Sequence, residues 1–410
     1  MSGGPGALGV RRGVGPAWFV VLGGVSAALH VAKLSPAIPA LQRELGVTLV
    51  TSGVLLSLVL LAGAVLGLVV GLLADRIGLR RSQLAGLTIL TVAGLAGGWA
   101  TDEKTLLVLR ALEGPGFLLS SVPAPGLIRR LVEPARLTRM LGIWSAFIPV
   151  GSTIALLVGP AVIAALGWPS WWWSTAAVSA LIGVLVWRVV PPDPPRSADA
   201  GPDTEPWTRR LASTLRTLGP WLGAGAFAVY GAQWLAVIGF LPSVYAESGW
   251  TGTTGAVLSA LVAAVNIGGN VSAGVLAHVG VRPRTLLVAG FAAMAVGSFL
   301  AFGAPTAGSP VARYVGALVF SGPGGLVPAT LFVLAPRLAP SERTISTTVG
   351  WMQQWSGLGQ VIGPPAVAWL ATRTGGWEWT WLLTGSWCVV GIGFAAAIAA
   401  YLHRRYGSDH

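Results

Sequence analysis

His30, Lys33, Arg110 and Glu113 stand inside long apolar stretches of this sequence, and they set the chemistry open to it. Ser26, His30 and Lys33 recur at i, i+4 and i+7, which puts all three on one face of a helix. Arg110 and Glu113 lie three residues apart and can pair on a second helix. The only other lysine is Lys104, so Lys33 is not background composition. An amine, an imidazole and a hydroxyl on one face can hold an anion by charge and hydrogen bonds. An arginine–carboxylate pair can relay a proton or act as a gate. The bland alternatives are a Lys33 that reaches back to the surface along its own methylenes, a His30 that only bonds a neighbouring helix, and an Arg110–Glu113 pair that only packs. Further along, Tyr230 and Gln233 share a face, as do Asn266 and Asn270, and Trp351, Gln354 and Trp355 fall in one late apolar stretch. These amides either contact a solute or glue helices together.

The elements that position these residues must be membrane helices. Of 410 residues, 54% are hydrophobic and 10% charged, with a mean hydropathy of +0.73. Soluble domains average about 25% charged residues, so a soluble enzyme, a disordered chain and a secreted disulfide scaffold are excluded. Cys388 is the one cysteine, which leaves no internal disulfide and no cysteine zinc cluster. The net charge of +12 sits in short arginine clusters between apolar runs, which argues for membrane topology rather than nucleic acid.

Twelve apolar stretches approach the roughly 20 residues that cross a bilayer: 17–40, 50–72, 82–100, 105–128, 140–165, 171–190, 218–241, 253–277, 284–304, 311–335, 344–371 and 379–402. The first is too long for the core of a secretory signal. With the N-terminus inside, most of the 26 lysines and arginines fall on the cytoplasmic side, while Lys33, Arg110 and Arg313 fall within spans. Both termini are then cytoplasmic and the chain is a multi-pass protein of the cytoplasmic (inner) membrane. The polar stretch 191–217 opens Pro191-Pro192-Asp193-Pro194-Pro195 and reads as a linker. It separates an N-terminal six-helix bundle, 1–190, from a C-terminal one, 218–410. The halves resemble each other at an offset of about 203–207 residues: Pro39 matches Pro242, Arg110 matches Arg313, Val122-Pro123-Ala124 matches Val327-Pro328-Ala329, and Gly159-Pro160 matches Gly363-Pro364. Two parallel repeats can rock about a site at midplane. The tryptophans, Trp171-Trp172-Trp173 above all, read as interfacial anchors.

The segment Gly71-Leu72-Leu73-Ala74-Asp75-Arg76-Ile77-Gly78-Leu79-Arg80-Arg81 resembles the signature loop of the major facilitator superfamily. After the eighth span Gly274-Val275-Leu276-Ala277-His278-Val279-Gly280 is a degenerate copy. Arg110-Ala111-Leu112-Glu113-Gly114-Pro115-Gly116 is similar to a second motif of that family, and Gly159-Pro160 to a third found among exchangers. The run from His30 to Pro39 and Trp351-Met352-Gln353 resemble the cyanate-transporter-like branch. The resemblance implies an all-α integral membrane fold of twelve transmembrane helices in two pseudo-symmetric six-helix bundles. It also implies a coupling role for Arg110 and a conformational-switch role for the loop that holds Gly71, Asp75, Arg76, Gly78, Arg80 and Arg81.

The expected function is secondary active transport of a small anionic or polar organic solute by alternating access, coupled to protons. Ser26, His30, Lys33, Tyr230, Gln233, Asn266, Asn270, Trp351 and Gln354 would contact the solute. Arg110 and Glu113 would couple or gate. The anion preference follows from two cations and a histidine set against one intramembrane carboxylate. A proton-coupled multidrug or metabolite exporter is the alternative. The expected partners are a small-molecule substrate, the lipid bilayer and protons, with no nucleic acid and a monomeric chain. No H-E-x-x-H, no phosphate-binding G-x-x-x-x-G-K-[ST] and no catalytic dyad is present, so neither an enzyme nor a cofactor or metal site is expected.

Overall fold

The computed structural model describes residues 14–193, 207–250, 252–341 and 344–407. The side chains of 71–76 and of His278 lie outside the described set, and with them the expected roles of Gly71, Asp75 and Arg76.

The described chain is helical and contains no strand. α1 (Val14–Ala32) and α2 (Leu34–Leu45) form the first crossing. α3 (Leu49–Ile77) is the second and α4 (Leu79–Gly97) the third. α5 (Glu103–Ser121) with α6 (Ala124–Leu131) is the fourth, α7 (Pro134–Ser145) with α8 (Phe147–Leu166) the fifth, and α9 (Trp168–Val189) the sixth. α10 (Trp207–Arg216) lies between the halves, so the stretch read as a plain linker holds a helix. The second half comprises α11 (Leu218–Glu247), α12 (Gly252–His278), α13 (Pro283–Phe302), α14 (Pro310–Gly324) with α15 (Leu326–Leu338), α16 (Ile345–Thr374) and α17 (Thr380–Tyr406).

Ten of these crossings are long and apolar enough to span a membrane on length and composition alone. α4 and α16 fall short, because α4 opens Leu79-Arg80-Arg81-Ser82-Gln83 and α16 carries Gln353, Gln354 and Gln360. Both still cross, since the helices before and after each of them must be joined from opposite faces. Of the polar groups on these two, Gln83 is fully buried and donates to the Val20 carbonyl at 3.0 Å, whereas Arg81 and Gln353 are exposed.

Within each half the six crossings pack on one another. The halves meet where α3 runs along α16 and α8 along α12, and α2 adds a contact with α11. Small residues permit the close approach at α3–α16. A Cβ on Gly53 would lie 3.0 Å from the Pro364 carbonyl oxygen, and one on Gly357 would lie 3.2 Å from the Ala64 nitrogen. Across the same seam Gln354 Nε2 donates to the Ala64 carbonyl at 2.8 Å.

The first crossing breaks at Lys33 for a stereochemical reason. Pro36 has no N–H to return to the Ala32 carbonyl, and Pro39 has none for Ser35. The carbonyls freed around this break must find other donors, because no water stands in for them in a bilayer. The fourth crossing breaks at Pro123 in the same way, and there Ser82 Oγ donates to the Leu119 carbonyl at 3.3 Å.

Candidate functional site

The break at Lys33 is the core of the site. Arg110, from α5, donates Nη1 to the His30 carbonyl at 2.5 Å and Nη2 to the Val31 carbonyl at 3.4 Å. Its Nε and Nη2 also reach the Leu55 carbonyl of α3, each at 3.2 Å. Trp171 Nε1 donates to the Lys33 carbonyl at 3.0 Å. A guanidinium and an indole thus serve the carbonyls of His30, Val31 and Lys33, which flank the break, rather than the Ala32 and Ser35 carbonyls that the prolines leave without a helix donor.

Glu113 joins the same cluster one helical turn along from Arg110. Its Oε2 accepts from Arg110 Nη1 at 2.7 Å. Its Oε1 accepts from Lys33 Nζ at 2.5 Å and lies 3.1 Å from His30 Nδ1. His30 Nε2 lies 2.8 Å from Ser179 Oγ on α9, and Ser179 Oγ lies 2.8 Å from Ser26 Oγ. A continuous polar chain therefore runs from Ser26 through Ser179, His30 and Glu113 to Lys33 and Arg110. His30, Lys33 and Arg110 are 0% exposed and Glu113 and Ser26 1%. In this conformation none of these side chains reaches solvent, and Lys33 does not extend to the surface. Its ammonium instead lies 4.8 Å from the centre of the Trp172 ring.

Two residues that composition assigned to the membrane interface belong to this core. Trp171 and Trp172 are 4% and 1% exposed, and both serve Lys33, one by its N–H and one by its ring face. The expectation of interfacial anchors fails for them because they fall on the inward face of α9. Ser179 was not singled out from the sequence, since one more hydroxyl in a membrane helix carries no signal until its neighbours are known.

The second half is built differently. Asn266 Nδ2 donates to the Ser321 carbonyl at 2.7 Å and lies 3.3 Å from the Tyr230 hydroxyl. Asn270 Nδ2 turns back to the Asn266 carbonyl and side chain at 3.0 and 2.9 Å. Gln233 Oε1 accepts from Cys388 Sγ at 3.0 Å, and its Nε2 has no partner. Trp351 and Trp355 pack edge-on against Trp221, with Trp351 Nε1 and Gln354 Oε1 also unpartnered. The structure thus joins Tyr230 to Asn266 and Asn270, and leaves Gln233 and the Trp351–Gln354 pair in separate groups.

Arg313 does not repeat the surroundings of Arg110: its side chain is 26% exposed and lies 3.6 Å from Glu378, whereas Arg110 is 0% exposed and paired with Glu113.

At the arginine-rich face, Gly78 adopts φ +106°, and a Cβ there would collide with the Asp193 side chain. Asp193 accepts from the backbone N–H groups of Arg80 and Arg81, each at 3.1 Å, and from Arg130 Nη1 at 2.7 Å. Arg130 Nη2 donates to the Pro191 carbonyl at 3.0 Å, and Arg80 Nη2 to that of Trp187. The first N–H groups of α4 have no partner within the helix, and Asp193 caps them from the far end of the half. Partial burial pushes the Asp193 carboxyl up, but these two N–H groups and the Arg130 guanidinium outweigh it and hold it below the usual carboxylate range.

The family model of the Major Facilitator Superfamily matches residues 20–353 of this chain. The chain belongs to the major facilitator superfamily. It is a multi-pass membrane protein. It is 31% identical over 221 residues to the methylenomycin A resistance protein of Streptomyces coelicolor, covering 52% of this chain and 46% of the relative. It is 29% identical over 174 residues to the tetracenomycin C resistance and export protein of Streptomyces glaucescens, covering 41% and 31%. The chain thus spans less than half the length of these curated relatives. The crystal structure of a D-xylose–proton symporter superposes with a TM-score of 0.73 over 93% of this chain and 96% of that one, at 15% identity, and shows the same fold.

Proposed function

We propose that this major facilitator is a proton-coupled secondary transporter, with Glu113, Lys33, His30 and Arg110 as its coupling centre. The observation that carries the reading is Glu113 shared between two cations and an imidazole in a site closed to solvent. Two cations against one carboxylate leave a positive charge in a medium where it is costly. Release of one proton removes that charge, and uptake of one restores it. Such a site exchanges a proton only when the protein opens toward one face, as coupling by alternating access requires. Ser26 and Ser179 extend the hydrogen-bonded chain by which the proton enters or leaves.

The solute is a small anionic or polar organic molecule. The excess of positive charge in the first half supports this, as does the lack of any acid among the buried polar residues described in the second half. Tyr230, Gln233, Asn266, Trp351 and Gln354 would be its contacts there. The names of the two Streptomyces relatives favour export. The positive-inside bias supports a cytoplasmic arginine-rich face, with both termini in the cytoplasm and the chain in the cytoplasmic membrane. The test is a reconstituted vesicle with a pH-sensitive dye in its lumen, probed with methylenomycin A and with tetracenomycin C. Solute-driven proton movement in the wild type that is lost in Glu113→Gln supports coupling. Solute flux at an equal rate in Glu113→Gln, insensitive to the pH gradient, overturns it.

A further inference from the structure

A second charged position lies outside the coupling centre, at the face opposite the arginine-rich one. Two adjoining cavities of about 210 and 250 Å³ open there between the ends of α11, α13, α14 and α16, and both are lined by Arg313. The Nε and Nη2 atoms of Arg313 are buried and have no hydrogen-bond partner. Glu378 Oε1 approaches Nη2 only to 3.6 Å, beyond hydrogen-bond length, and its side chain is 56% exposed. Tyr245 lines the first cavity, is 5% exposed, and its hydroxyl is likewise without a partner. Trp250 faces Tyr245 with ring centres 5.5 Å apart, and Tyr314 packs behind both at 6.3 and 6.4 Å. The Trp250 backbone N–H donates to the Tyr245 carbonyl at 2.8 Å, which fixes the loop that carries this wall.

The two cavities differ in charge. Glu247 and Glu378 line the second, whereas the first holds no acid and is walled by Leu241, Phe302 and Ala317 besides the aromatic pair. Unused guanidinium donors are costly when buried, and their fork matches a planar oxyanion. A phenol O–H supplies a further donor. Flat rings and aliphatic side chains accept an apolar body. We infer that the Arg313–Tyr245 cavity binds a small organic oxyanion with an apolar body, such as an aromatic carboxylate, at the outer mouth of the second half. At about 210 Å³ it is smaller than the roughly 300 Å³ at which drug-sized pockets begin, so the ligand is small. Glu378 competes with it for Arg313. The inference stands apart from the coupling centre and holds whether or not that centre moves protons.

The experiment is isothermal titration of benzoate, with benzamide as the uncharged control, into the full chain in phosphatidylcholine nanodiscs. Benzoate binds the wild type and benzamide does not. Arg313→Gln weakens benzoate by at least about tenfold, equivalent to about 1.4 kcal/mol. Tyr245→Phe weakens it by a few-fold. Glu378→Gln tightens it, because the competing carboxylate is gone, and this gain keeps the test decisive should Arg313→Gln fail to fold. Nanodiscs of phosphatidylglycerol separate a free carboxylate from a lipid phosphate. If the lipid is the source, benzoate binding falls in them, and mass spectrometry finds phosphatidylglycerol retained by the wild type and lost from Arg313→Gln. Equal benzoate affinity in the wild type and Arg313→Gln, or no benzoate binding, overturns the inference when no Arg313-dependent lipid retention accompanies it. So does an unchanged or weaker affinity in Glu378→Gln.

Discussion

Glu113 holds Lys33 at 2.5 Å with one carboxylate oxygen and Arg110 at 2.7 Å with the other. Its loss strands two cations in a closed site, whereas loss of Lys33 strands none. Glu113→Gln should therefore destabilise the protein by about 3–5 kcal/mol, and adding Lys33→Met to it should recover a good part of that. Unfolding of the purified variants in detergent measures both. Additive losses in the double variant would show that the two side chains act independently.

The His30 ring is held against α4 by a glycine. A Cβ at Gly94 would lie 2.9 Å from His30 Cε1 and 3.1 Å from Ala176, so Gly94→Ala must shift the imidazole. Ser179→Ala removes the hydroxyl that links His30 to Ser26 without touching the ring. Both variants should slow proton-coupled flux several-fold and alter its pH profile. Solute affinity should stay within about twofold, read by equilibrium binding. A fall in affinity with an unaltered pH profile would point to a solute contact instead.

Asp193 binds three parts of the arginine-rich face at once. Its carboxyl is held below its ordinary value, so its contribution is present above the unfolded value of about 3.9 and vanishes as pH falls through the lowered native one. Asp193→Asn should lower stability by about 1 kcal/mol, the usual worth of a helix N-cap. It should also flatten the loss of stability in the wild type below about pH 4. Melting temperatures of both proteins from pH 3 to pH 7 decide the matter, and parallel curves would remove Asp193 from the account.

The seam between the halves is set by small residues. Gly357→Val places a branched side chain where even a Cβ lies 3.2 Å from the Ala64 nitrogen. It should force α16 away from α3 and break the Gln354–Ala64 hydrogen bond. Distances between spin labels on α3 and α16 should lengthen, and transport should fall by more than about tenfold, about 1.4 kcal/mol in barrier terms. Labels that keep their wild-type separation would mean that this seam yields elsewhere.

Most of the architecture was legible because hydropathy and arginine placement act locally along the chain. α4 and α16 were legible as the apolar stretches 82–100 and 344–371, and the arginine alternation supported them where polar residues dilute the whole helix. Lys33, His30, Arg110 and Glu113 stood out because ionisable groups in apolar runs are costly. Their partners did not stand out. Ser179, Trp171 and Trp172 gain meaning only once α9 is turned toward α1, and no spacing within α9 announces that turn. Asp193 was hidden in a proline-rich stretch that reads as linker.

Arg110 spreads its donors over carbonyls of α1 and α3 while its own backbone belongs to α5. Three helices are thereby riveted at one point, deep in a medium that offers no substitute donor. Sliding any of them past the others would expose several carbonyls together. The first half must then travel as a stiff lever, and the compliance that transport demands has to reside in the glycine-lined seam with α16.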